Sequence, residues 1–155
     1  MDRTEASFFL EALMAGRLPV STRALLNAVQ DPNPQVVCFV DSHNGEVLKL
    51  SPGSNMAELA RFKTMSGSDP DRFLKVPRPT GAETYADLDA FCATVRDRKL
   101  ADRLATAVRG GGTLRDFLDA LTPVPGEKER WYRFRESRTM ERLQNWLRQN
   151  GLNAT

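Results

Sequence analysis

The chain has 155 residues, 41% of them hydrophobic and 27% charged, with a formal net charge of +2. That length suits one domain with a core of its own, and the composition excludes a disordered or fibrous protein. The weak net charge excludes the overall basic bias of a dedicated nucleic-acid binder, while leaving room for a local basic face.

From Thr4 to Arg17 the apolar residues Phe8, Phe9, Ala12 and Leu13 recur at helical spacing, and Leu10 and Met14 widen the arc. An arc that broad on a terminal helix suits packing from two sides, with Phe8, Phe9 and Leu13 as a protein-interface candidate. The same stretch is not read as a secretory signal, because Asp2 and Glu5 precede its apolar run and Glu11 interrupts it. No apolar run approaches the roughly 20 residues that span a bilayer. A cytoplasmic location and no membrane partner are expected.

Pro19 ends the first element. Ser21 is placed to cap a helix over Thr22 to Gln30, and the Asp31-Pro32-Asn33-Pro34 break follows. "QVVCFVD" reads as a strand, "EVLKL" as its return, and Asn44-Gly45 between them as a hairpin signal, because both residues tolerate positive φ. Residues 51–71 give the weakest signal, with one or two helical turns from Met56 to Phe62. "RFLKVP" reads as a third strand, so the three form a small antiparallel meander.

From Thr84 the period becomes helical. Thr84 with Asp87 resembles a capping box, and Tyr85, Leu88, Phe91, Cys92 and Val95 form one stripe. Leu100, Leu104, Ala107 and Val108 mark the next helix. Gly110 to Gly112 break it, and Thr113 caps another with Leu114, Phe117, Leu118 and Leu121 on one face. A last helical region runs from about Glu127 to Asn150 and stops at Gly151, unless Glu136 to Thr139 divides it.

Three places invite a chemical reading. In "WYRFRESR", a continuous helix sets Tyr132, Met140, Leu143, Trp146 and Leu147 on a core arc, and Arg135, Arg138 and Arg142 on another with Trp131 at its head. Arginine forks suit phosphate and a neighbouring indole suits stacking, so this ridge, with Arg133 as outrigger, is a nucleic-acid-binding candidate. The opposing reading is a solvated face carrying internal ion pairs. In "RGGGTLRDF", glycines before a helix start suggest an anion cradle, but Asp116 already answers the helix dipole and no Walker pattern is present, which favours a plain connector. In "DSHNGE", Asp41, His43 and Glu46 sit near one turn, with no nucleophile placed by sequence to complete a catalytic set. Cys38 and Cys92 lie in apolar runs and read as buried thiols. With no CxxC and a single histidine, no metal or cofactor is expected.

The order of motifs resembles the bacterial uncharacterised protein family 0158 over about residues 21 to 152, with residues 1–20 as a helical extension. The pieces that carry the resemblance are "VDSHNGEV", "FLKVP", "LDAFCATVRD", "GGGTLRDFLDAL", "WYRFRE" and "NWLRQNGL". The resemblance implies an α+β domain of bacterial origin and no particular activity. Asn44 stands where that family tends to have Thr, Leu114 replaces an aromatic, and Asp116 falls where a basic residue is usual.

The expected protein is a single α+β domain over residues 1–155, a three-stranded antiparallel sheet packed with N-terminal helices and a C-terminal helical cluster. Its expected role is a non-enzymatic binding or regulatory module, contacting an anionic macromolecule such as nucleic acid through Trp131, Arg133, Arg135, Arg138 and Arg142. The rival role is a protein-protein adaptor or homodimer built on the N-terminal helix. A nucleotide pocket at the glycine loop is a third, weaker reading.

Overall fold

The structure, a computed structural model, describes residues 18–155. The proposed interface residues Phe8, Phe9 and Leu13 lie outside the described residues. The fold is α+β, as expected: a three-stranded antiparallel sheet with helices on either side of it in the chain. It forms two compact units, one running up to Arg78 and resuming at Met140–Thr155, the other Pro79–Thr139.

In the first unit, β1 (Pro19–Val20) leads directly into α1 (Thr22–Val29). Ser21 caps that helix as expected, its hydroxyl accepting the Ala24 N–H at 3.2 Å. The carboxylate of Asp31 and the amide oxygen of Asn33 then take the N–H groups two residues on, at 2.9 and 3.0 Å, and so steer the chain past Pro32 and Pro34. Arg78 fixes the same loop from outside, donating to the carbonyl oxygens of Val29, Asp31, Asn33 and Val36. Val29 ends α1 and the other three carbonyls belong to a segment without secondary structure, so the guanidinium supplies partners that no ladder provides.

The sheet is built from β2 (Val37–Asp41), β3 (Val47–Leu50) and β4 (Phe73–Lys75). All pairings are antiparallel, but the order is β3-β2-β4, not the expected meander. The first strand is central because the chain between β3 and β4 carries α2 (Met56–Ser68), which returns it to the far edge. That helix has 13 residues, longer than the one or two turns expected, with Asn55 capping the Ala57 N–H. The hairpin forms at Asn44-Gly45, as expected. Only Gly45 takes positive φ, at +77°, while Asn44 uses its side chain to accept the Glu46 N–H. The loop is four residues, Ser42 to Gly45, closed by Gly45 N–H to the Asp41 carbonyl at 2.7 Å. A Cβ on Gly45 would stand 2.5 Å from the Pro19 carbonyl oxygen, so this glycine serves both turn and packing. Cys38, Val40 and Val76 bury against Leu25, Leu26, Leu143, Leu147 and Leu152. At the chain's end, β5 (Asn153–Ala154) pairs in parallel with β1.

The second unit is helical. α3 (Gly81–Cys92) starts a turn earlier than expected, because Thr80 and Glu83 form the capping box that the sequence suggested for Thr84 and Asp87. Asp97 caps α4 (Arg98–Arg109), and Thr113 with Asp116 caps α5 (Leu114–Leu121). α6 (Pro125–Gln149) is one unbroken helix through Glu136 and Thr139, ending before Gly151 at φ +73°. Pro125 occupies its first turn, where a missing N–H costs nothing. The core of this unit joins Leu88, Phe91, Leu100, Leu104, Phe117, Leu121 and Trp131. Phe91, Phe117 and Trp131 meet edge to face at centroid distances of 5.1 to 6.1 Å. Among the described residues, no helix is long and apolar enough to cross a membrane.

Candidate functional site

The glycine loop resolves into packing. A Cβ on Gly112 would stand 2.2 Å from the Ala107 carbonyl oxygen, and one on Gly110 would stand 2.7 Å from that of Thr106. Both glycines let the chain fold back on the last turn of α4. The Asp116 carboxylate accepts the Thr113 N–H at 2.9 Å, so the start of α5 already holds an anionic group of its own.

The polar groups of the hairpin are likewise engaged. Asp41 is 2% exposed, and its carboxylate accepts from Arg72 and from the His43 N–H. The Arg72 guanidinium beside it holds its carboxyl below the usual carboxylate range. His43 faces outward and its Nε2 stands 3.2 Å from Asp69, while Glu46 is exposed. The partner of Asp41 is Arg72, a residue that no motif in the sequence marks. Nothing in local spacing could reveal a pair 31 residues apart.

The arginine face of α6 is where sequence and structure differ most. Trp131 does not head an exposed ridge: its ring is fully buried. The reason lies in the wheel itself. Arg135, Arg138 and Arg142 fall within about 40° of Trp131, so the face that buries the indole turns these arginines partly inward. All three are half-buried. Arg138 donates through Nε to Asp87 at 2.8 Å and lies over the Phe134 ring at 5.7 Å. Arg142 is engaged within the structure. One residue outside the proposed set, Arg130, is held by Glu127 and Thr94 and lies over Phe91 at 4.3 Å.

A different stripe is left available. Tyr132, which the helical wheel sets on the core arc, is 46% exposed. Lys128, Tyr132 and Arg135 follow one another at i, i+4 and i+7, within about 60° on the wheel. Arg133 is exposed beside them. Among the described residues, Lys128, Arg133 and Arg135 have no ion pair. The signal that could have found this stripe is the burial of Trp131, because on a helix the next residue must point about 100° away.

The sequence matches the uncharacterised protein family UPF0158 over residues 17–155. A curated protein of Pseudomonas aeruginosa named for that family is 23% identical over 119 residues, which cover 77% of this chain and 76% of that protein. No solved structure matches the chain.

Proposed function

We propose, for a chain that belongs to the uncharacterised protein family UPF0158, a non-enzymatic binding role in which the outer stripe of α6 contacts an anionic macromolecule, nucleic acid in the first instance. The observation that carries this reading is the exposed Tyr132 ring flanked by Lys128, Arg133 and Arg135, three cations that have no ion pair among the described residues. A phenol ring offers a stacking face to an unpaired base, and the cations suit the phosphates on either side of it. Arg138 and Arg142 support the helix instead of meeting the ligand. The non-enzymatic part of the reading draws on Asp41 and Asp116, whose carboxylates are already committed to an arginine and a helix cap.

The test is fluorescence anisotropy with labelled single- and double-stranded DNA and RNA, at low and physiological salt. The reading expects single strands to bind best, with log affinity falling linearly with log salt at a slope of about −2 for three phosphate contacts on a single strand. Lys128→Ala/Arg133→Ala/Arg135→Ala should remove most of that slope. Tyr132→Ala should weaken binding about ten-fold with the slope unchanged, a stacking loss of roughly 1–3 kcal/mol. No binding at tens of micromolar protein in low salt would set the reading aside.

A further inference from the structure

Among the described residues, no strand pairs with the β3 edge of the first unit's sheet, and a cleft follows that edge. Asp41 N–H donates to the Glu46 carbonyl at 2.9 Å, and the pairs Val40 with Val47, Phe39 with Leu48 and Cys38 with Lys49 continue the register. In an antiparallel ladder every second residue turns its N–H and C=O toward the partner strand. Leu48 and Leu50 therefore bond to β2, and Val47 and Lys49 point their backbone groups the other way. β3 is one of the sheet's two edge strands, and among the described residues those outward groups of Val47 and Lys49 meet no backbone partner.

The cleft of about 340 Å³ is lined by β3 along its length, by Glu46 just before it, and by Glu58, Arg61, Phe62 and Met65 of α2. Those four residues are spaced i, i+3, i+4 and i+7, one face of the helix. Phe62 closes the floor, 4.8 Å from Phe39 and 4.9 Å from Phe73 between ring centroids. α2 covers this side of the sheet incompletely: none of its residues is fully buried, and Met56 is 85% exposed. Of the charges in the cleft, Asp41 is bonded to Arg72 and Lys49 to Asp31. Glu46, Glu58 and Arg61 have no ion pair among the described residues, two acids against one base.

We propose that this edge and cleft form a docking site for an extended segment of another protein, one that adds a strand to β3, places aliphatic side chains over Phe62 and Leu48, and brings basic residues to Glu46 and Glu58. The backbone groups of Val47 and Lys49 supply the ladder, the apolar floor selects alternate side chains, and the acid excess selects the charge. The site lies in the first unit and does not depend on the α6 stripe.

The probe is a labelled, end-capped peptide of sequence Lys-Thr-Val-Thr-Val-Thr-Lys, in which both lysines and both valines share one face of a strand. Binding to the full chain is followed by anisotropy and by amide shifts of β3 in NMR spectra. The proposal expects saturable binding with shifts centred on residues 46–50 and at least ten-fold weaker binding to Glu46→Lys/Glu58→Lys. Arg61→Ala should bind several-fold tighter. Two N-methylated versions of the probe, methylated on alternate residues, give the sharpest reading. One should lose binding and the other keep it, because only one edge of an added strand meets β3. No binding at one millimolar, equal behaviour of the two methylated probes, or shifts elsewhere would overturn the proposal. A Glu-for-Lys probe that binds as well would overturn its charge selection.

Discussion

The Asp41 carboxylate accepts two hydrogen bonds from Arg72, Nε to Oδ1 at 2.9 Å and a terminal nitrogen to Oδ2 at 2.8 Å, and so ties the end of β2 to the residue just before β4. A planar fork meeting a carboxylate fixes orientation as well as distance. The same carboxylate holds the hairpin turn through the His43 N–H.

This pair predicts a pH dependence. Arg72 lowers the carboxyl of Asp41 below its ordinary value of 3.8. The stability it contributes is therefore fully present above pH 3.8 and is lost as the pH falls through the lower folded value. Asp41→Asn should be less stable than the parent at pH 7, and the difference should shrink as the pH falls below the usual carboxylate range. Urea unfolding at pH 7, 4 and 3 measures it. A gap that stays constant over that range would show that the charge of Asp41 is not what matters.

Trp131 predicts a contrast between two substitutions. The ring is fully buried, and its Nε1–H has no hydrogen-bond partner among the described residues. An unpaired buried donor costs roughly 1–3 kcal/mol, which Trp131→Phe would recover in part while losing some packing. That variant should lie within about 1.5 kcal/mol of the parent. Trp131→Ala should lose about 3–5 kcal/mol through the cavity it opens. Denaturant midpoints decide, and an equal loss in both variants would point to a hydrogen-bonded indole.

The glycine loop predicts that Gly112 tolerates less than Gly111. A Cβ at Gly112 meets the Ala107 carbonyl oxygen at 2.2 Å, whereas Gly111, at φ +76°, has open space around it. Gly111→Ala should cost about 1–2 kcal/mol for the left-handed backbone. Gly112→Ala should cost about 3 kcal/mol through overpacking against backbone. Thermal unfolding of the two variants ranks them, and the reverse order would contradict the packing role.

The thiols should react in sequence. Burial raises the Cys38 thiol to about 11 and leaves it 4% exposed, while Cys92 is raised and only half-buried. Since the thiolate is the nucleophile, both should react slower than a free cysteine at pH 8. Mass spectrometry of alkylated native protein should find Cys92 modified first, and Cys38 only once urea opens the sheet. Early labelling of Cys38 would mean that β2 opens locally.

The elements that the sequence revealed are those whose cause is local. Ser21, Thr113 and Gly151 act on backbone groups within a turn of themselves, so the first two helices begin, and the last one stops, where expected. The stripe of Leu88 and Phe91 is buried because a helix repeats every 3.6 residues, whatever it packs against. Thr84 misled because Thr80 offers the same chemistry one turn earlier, with Glu83 at the matching position. Tyr132 misled because one wheel cannot say which of two apolar arcs finds a core.

The α+β class, the three strands of the central sheet, most helices and the family were legible in the sequence, since propensity, capping and periodicity are properties of neighbouring residues. Only the tertiary structure decided the strand order β3-β2-β4, the parallel pairing of Pro19 with Asn153, the Asp41–Arg72 bond and the direction of the α6 arginines. Each of these depends on groups brought together across 31 or more positions, or on which face finds a partner to bury against. A local pattern carries no record of either, because the free energy that selects them comes from apolar area removed from water when distant segments meet.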